Sequence, residues 1–154
     1  MNYQEINFDI TTVDKRAYLV AHCIAADLSW GGGIAPIVIR DMYDAEKQCR
    51  YKCSTNPDGY VGDLKKGDIM PVDTPNGTFV NLITKTHSWD KPIYADLTMS
   101  LEKLKDYMVN TGRKVIVMPK IGCGLDRLEW SVVRRIIMGI FSETDIMVRI
   151  AIWP

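Results

Sequence analysis

The chain has 154 residues, 47% of them hydrophobic and 25% charged, values that suit one globular domain with its own core and exclude a disordered chain. Nineteen Lys and Arg balance nineteen Asp and Glu, giving a formal net charge of zero, so bulk electrostatics supplies no drive toward nucleic acid or acidic membranes. No apolar run approaches the roughly 20 residues of a bilayer-spanning helix, and residues 1–16 lack the basic and apolar regions of a signal peptide; a cytoplasmic protein with no membrane partner is expected.

Residues Ala17–Ala25 are almost continuously apolar, as in a strand buried on both faces of a parallel sheet. A glycine-rich turn runs from Asp27 to Gly33. Ile34, Ile37, Val38 and Met42 then recur at helical spacing, with Pro36 tolerated in a first turn. Residues 52–68, with Asn56-Pro57-Asp58-Gly59 and Gly62-Asp63, read as a surface loop. Ile69–Val72 and Thr78–Thr84 read as short strands, and Asn76-Gly77 between them is a hairpin signal. Leu97, Leu101, Leu104 and Met108 predict an amphipathic helix of about four turns, stopped by Gly112. Val115–Met118 is a further buried strand, Trp130, Val133, Ile137 and Ile140 mark the last long helix, and Met147–Trp153 is a final strand. Strands alternating with helices, around one hairpin, predict a single α/β domain: a three-layer α/β/α sandwich around a mixed, mostly parallel sheet.

In such sheets ligands bind outside the carboxyl ends of the strands. Two strand exits are rich in glycine: Trp30-Gly31-Gly32-Gly33-Ile34 and Ile121-Gly122-Cys123-Gly124-Leu125-Asp126. Glycine lets backbone N–H groups approach phosphate oxygens, and a helix N-terminus beyond it adds a favourable dipole. Either loop alone also reads as a tight turn; two at equivalent strand ends suit a diphosphate. Neither is a Walker A sequence, and neither has the full Gly-x-Gly-x-x-Gly spacing. Lys85 closes an apolar strand, where its amine can act as a nucleophile or reach out to solvent. Asp126 lies near a helix start, where a carboxylate ordinarily satisfies backbone donors. Spacing does not say whether the two meet. Cys23, Cys49, Cys53 and Cys123 read as free thiols of a reducing compartment. Cys49 and Cys53 stand one helical turn apart, but only His22 and His87 are available to complete a metal site, so no metal and no cofactor is expected.

Taken together, Ala21-His22-Cys23-Ile24, Trp30-Gly31-Gly32-Gly33-Ile34-Ala35, Leu82-Ile83-Thr84-Lys85, Lys91-Pro92-x-Tyr94 and the run Pro119 to Leu128 resemble the macrodomain family, and within it the terminal ADP-ribose protein glycohydrolase branch. The resemblance covers nearly the whole chain, in order, and is most specific from Ile121 to Trp130. It implies a macrodomain fold and ADP-ribose as ligand or product. By resemblance, Asp9 binds the adenine amine with the Ile10 backbone alongside. Trp30 and the loop Gly31, Gly32, Gly33, Ile34 and Ala35 hold the distal ribose and phosphate; Ile121, Gly122, Cys123, Gly124 and Leu125 cradle the diphosphate. Lys85 attacks the anomeric carbon of the distal ribose, and Asp126 assists and then resolves the adduct. The bond cut joins ADP-ribose to a glutamate or aspartate side chain of a mono-ADP-ribosylated protein, or in related enzymes to thymine in DNA. Phe8 stands where a glycine is usual, and Ala25-Ala26-Asp27 where a serine is frequent.

Other readings share these residues. His22 matches a histidine given a catalytic role in the ADP-ribose-1″-phosphate phosphatase branch, although a packed core histidine is its plainer role. Hydrolysis of that phosphate or of O-acetyl-ADP-ribose, or non-catalytic reading of ADP-ribose, are the alternatives within the scaffold. An eraser of DNA-linked ADP-ribose needs a basic groove, for which Arg127, Arg134, Arg135, Lys65 and Lys66 are the candidates. Trp89 is a candidate to shield the distal ribose. A monomer is expected.

Overall fold

The computed structural model describes residues 1–14, 16–27, 64–74, 77–124 and 126–152. Within them lie strands β1 (Asn2–Asn7), β2 (Leu19–Ala25), β3 (Ile69–Thr74), β4 (Gly77–Lys85), β5 (Val115–Pro119) and β6 (Met147–Ile152), and helices α1 (Tyr94–Thr111) and α2 (Trp130–Phe141). The strands form one sheet in the order β1-β6-β5-β2-β4-β3. Every neighbouring pair is parallel except the β3–β4 hairpin. The mixed, mostly parallel sheet is the α/β arrangement expected. The glycine turn and the helix expected from Ile34 to Met42, most of the 52–68 loop, Cys49, Cys53, Asn76 and Trp153 lie outside the described residues.

Alternation along the strands divides the core into two clusters. Val20, Ile24, Phe79, Ile83 and Val117 share one with Ile10; Leu19, Ala21, Val80, Leu82, Ile116 and Met118 share the other. The second cluster takes Leu97, Leu101, Leu104 and Met108 from α1 and Val133, Ile137 and Phe141 from α2. The apolar stripe read from the sequence is therefore the stripe that packs on the sheet. Buried Ser100 fastens α1 to the sheet: its Oγ donates to either the Asp68 or the Ile83 carbonyl, each 3.1 Å away. Gly112 ends α1 in the left-handed region, φ 73°, as a C-terminal glycine should.

Three boundaries differ from expectation. Strand β2 begins at Leu19 because Ala17 and Tyr18 both donate to the Asp14 carbonyl and form a turn. The hairpin strands run further toward each other: Asp73 pairs Thr78 and Thr74 pairs Gly77, and Thr78 Oγ1 donates to the Asp73 carboxylate at 2.7 Å. Helix α1 starts at Tyr94, directly after Pro92 and Ile93. Strand β1, which the sequence does not announce, pairs with β6 from Asn2↔Met147 to Asn7↔Ile152.

His22 lies in the middle of β2 and is buried. Its Nε2 donates to Asn81 Oδ1 at 2.6 Å, Asn81 Nδ2 donates to the Met70 carbonyl, and Phe79 meets the imidazole edge-on at 5.8 Å. Burial lowers the His22 pKa to about 4, against a smaller opposing pull from Asn81. The unfolded chain therefore binds this proton from about pH 6.5 downward while the folded chain refuses it until about pH 4, so stability rises with pH across that window and falls on acidification. The expected loss is about 2 kcal/mol between roughly pH 7.5 and pH 5, measured by urea unfolding. His22→Gln should abolish most of that slope.

Candidate active site

Because β1, β6, β5, β2 and β4 are mutually parallel, their carboxyl ends open on one side of the sheet. Asp9 and Ile10 come after β1, Ala26 and Asp27 after β2, Lys85 ends β4, and the loop from Lys120 to Glu129 leaves β5. Of the expected segments, Asp9–Ile10, Lys85 and the described part of the Ile121–Asp126 loop thus emerge at one end of the fold.

Lys85 and Asp126 meet. Lys85 Nζ donates to Asp126 Oδ1 at 2.8 Å, and each side chain is 15% exposed. They come from β4 and from the loop after β5, the two neighbours of β2, so the pair bridges the end of the central strand. Strand β4 prepares its last residue with a bulge: Ile83 pairs Ile24 and Lys85 pairs Ala25, leaving Thr84 as an extra residue. A bulge bends the strand and re-aims the side chain beyond it, here that of Lys85. The pairing then continues past the strand ends, with Ala26 N donating to the Lys85 carbonyl and Asp27 N to the Thr86 carbonyl.

The loop carrying Asp126 is fastened at several points. Cys123 N donates to the Lys120 carbonyl, Arg127 N to the Gly124 carbonyl and Leu128 N to the Gly122 carbonyl. Arg127 has φ 60°, a left-handed backbone that costs a non-glycine residue about 1–2 kcal/mol. Tyr94, at the start of α1, accepts a hydrogen bond from Glu129 N at 3.0 Å, pinning the entry to α2. Gly122 is required by the backbone: its φ is 72°, and a Cβ there would stand 2.8 Å from Leu128 Cδ1. Gly122→Ala should cost about 1–2 kcal/mol in thermal or urea unfolding and weaken ligand binding at the distorted loop. Gly124 is different, since its φ is not positive and none of the described residues lies within 4 Å of where its Cβ would be.

Two thiols belong to this region: Cys23 in β2 and Cys123 in the loop itself. Burial pushes Cys23 up to about 12, with Asp126 adding to the shift, and burial raises Cys123 as well, partly offset by Lys120. Both are free cysteines, and a protonated thiol is a poor nucleophile.

Asp9 caps a short 3-10 turn, Ile10–Thr12, its Oδ1 accepting from Thr11 N at 2.9 Å and Thr11 Oγ1 at 2.7 Å; Ile10 is buried in the core. His22 sits in mid-strand with Asn81 rather than at a strand end. Trp30, Gly31, Gly32, Gly33, Ile34, Ala35 and Leu125 lie outside the described residues. Arg134 is committed to Glu5, which also accepts from Trp130 Nε1 and whose carboxyl the guanidinium holds below its ordinary pKa. Lys66 lies 3.6 Å from Asp96. Among the described residues no three His, Cys, Asp or Glu side chains converge as a metal site would need, and no helix is long and apolar enough to cross a membrane. The sequence reading missed the tether between Asp27 and the loop after Lys85, where Ser88 N donates to Asp27 Oδ2 at 3.0 Å. No local pattern signals a contact over that separation.

No protein-family model matches the chain. The chain is 33% identical over 132 residues to ADP-ribose glycohydrolase OARD1 of Homo sapiens, covering 85% of this chain and 79% of that protein. In structure it resembles the macrodomain of Mycobacterium tuberculosis DarG, with TM-score 0.81 and 20% identity over 99% of this chain and 97% of that one. It also resembles Thermosipho africanus DarTG in complex with ADP-ribose, with TM-score 0.77 and 19% identity over 98% of this chain and 41% of that one. The strand order, the loops at one end of the sheet and the relation to OARD1 lead to one conclusion: this chain belongs to the macrodomain family.

Proposed function

We propose that the protein is an ADP-ribosyl glycohydrolase that removes mono-ADP-ribose from glutamate and aspartate side chains, with Lys85 as nucleophile and Asp126 as its carboxylate partner. The observation that carries this is the sheltered 2.8 Å contact between the two. The activity named for OARD1 supports the class of reaction.

In the first step Asp126 takes a proton from Lys85, and the neutral amine attacks the anomeric carbon. The bond to the acceptor carboxylate breaks with its electron pair, and the acceptor leaves as a free carboxylate. Asp126 lies beside the carbon while it carries oxocarbenium character, where a negative charge lowers the barrier. Asp126 passes that proton on to solvent, and in the second step it accepts a proton from a water that adds to the same carbon. The carbon–nitrogen bond breaks, Lys85 recovers its proton, and ADP-ribose departs. Neither step needs a metal or a cofactor.

The binding reading tracks the strand ends. From β1 to β4 is four strand spacings, roughly 19 Å, a span suited to an elongated ligand with a base at one end and a ribose at the other. In this reading Asp9 and the Ile10 backbone take the adenine and the glycine loops take the diphosphate. The commitment of Arg134 to Glu5 and of Lys66 to Asp96 weighs against a basic groove for DNA, and the neutral, deeply buried His22 weighs against a phosphatase built on it. We place the protein in the cytoplasm, as a single-domain monomer with free thiols.

The test is incubation with a protein mono-ADP-ribosylated on glutamate, with release read by mass spectrometry. Released ADP-ribose and an unmodified acceptor are expected. Tight binding of ADP-ribose with nothing released from that acceptor would overturn the reading. ADP-ribosylated thymidine and ADP-ribose-1″-phosphate would then separate the remaining activities from a reader.

A further inference from the structure

Trp89 is the most exposed large hydrophobic side chain among the described residues, at 74%. A tryptophan offers a wide apolar face that is unfavourable to leave in water. Its ring is not loose. It stacks on His87 with centroids 4.6 Å apart and planes 5° from parallel. His87 is itself held: its backbone N donates to Asp90 Oδ2 at 2.8 Å, its Nδ1 lies 3.3 Å from the same oxygen, and Asp90 N donates back to the His87 carbonyl. Ser88 N, between the two rings in sequence, is tied to Asp27. This ordered loop begins one residue after Lys85, and the reaction proposed above gives it no part.

We propose that the stacked His87–Trp89 pair is the acceptor subsite, a platform on which the polypeptide carrying the ADP-ribosylated side chain packs while its bond lies at Lys85. The pair is preorganised, so packing on it costs little ordering. Its charge setting selects the occupant. Asp27 and Asp90 both have their carboxylates fastened to the backbone of this loop. Two fixed carboxylates repel a phosphodiester strand, whereas peptide planes and apolar or cationic side chains stack on indole without that penalty. The exposed ring thereby becomes a specificity-determining residue for protein over nucleic acid. The inference rests on the glycohydrolase reading, because it needs an acceptor attached at Lys85.

The test is binding rather than turnover, in the full chain carrying Lys85→Ala so that substrate survives. Titrations of free ADP-ribose, a peptide ADP-ribosylated on one glutamate and an oligonucleotide ADP-ribosylated on thymidine are compared with and without Trp89→Ala. The peptide should lose about tenfold in affinity, consistent with one aromatic contact, while free ADP-ribose stays within about twofold; Trp89→Phe should recover most of the loss. Equal losses for peptide and free ADP-ribose would show that Trp89 covers the ribose, and a loss confined to the oligonucleotide would show base stacking; either overturns the proposal, as does no loss at all. If the parent protein binds ADP-ribose but Trp89 has no effect, only the platform fails. If it binds neither ADP-ribose nor the peptide, the glycohydrolase reading fails first and takes the platform with it.

Discussion

Lys85→Ala is expected to slow ADP-ribose release by on the order of a thousandfold, about 4 kcal/mol of barrier. In the proposed mechanism the variant removes the amine that forms the new bond, and the two described thiols, Cys23 and Cys123, are poor substitutes because desolvation raises their pKa. It also leaves Asp126, 15% exposed, without its partner, so a disturbed loop can add to the loss. Lys85→Arg separates the two effects. Arginine keeps the positive charge and can pair with the carboxylate, but its guanidinium stays protonated and does not attack. Unfolding near the wild-type midpoint together with lost release would assign the loss to chemistry. Release at the wild-type rate by Lys85→Arg would reduce Lys85 to an ion-pair partner and remove the covalent route.

Asp126→Ala should lower turnover by about a hundredfold to a thousandfold and change what accumulates. Lys85 can still lose its proton to solvent, slowly, and attack. Resolving the adduct requires a base beside the anomeric carbon, the role proposed for Asp126. The covalent lysyl–ADP-ribose species should therefore build up, visible as one ADP-ribosyl group added to the intact chain and mapped to Lys85 by peptide mass spectrometry. Combining Asp126→Ala with Lys85→Ala should erase the adduct. An adduct on any other residue would reassign the nucleophile.

The buried parts of the fold are legible in the sequence because burial leaves a pattern. The apolar runs read at Ala17–Ala25 and Val115–Met118 contain strands that feed both clusters, and the stripe from Leu97 to Met108 lies in the second. Strand β1 leaves no such pattern: of its six residues only Tyr3 is even partly shielded. It is specified instead by backbone pairing with β6 and by Glu5 reaching Arg134 and Trp130, 129 and 125 residues away. The site divides in the same way. Glycine at 122 is readable as a turn that needs a left-handed residue. Lys85 and Asp126, 41 residues apart, cannot be joined by spacing; only the family resemblance suggested them together. Their meeting depends on strand order, on the Thr84 bulge and on the tether from Tyr94 to Glu129, all of them tertiary facts.

The setting of Cys23 also determines how the site withstands chemical insult. Cys23 is only half-buried, but desolvation and the nearby Asp126 charge push its pKa up to about 12, so the thiolate is scarce near neutral pH. Peroxide and alkylating agents react with that form, so the Cys23 thiol is a slow target for them. If the chemistry runs on an amine and a carboxylate as proposed, with Cys23 and Cys123 kept protonated beside them, activity should outlast oxidising conditions that silence a cysteine enzyme.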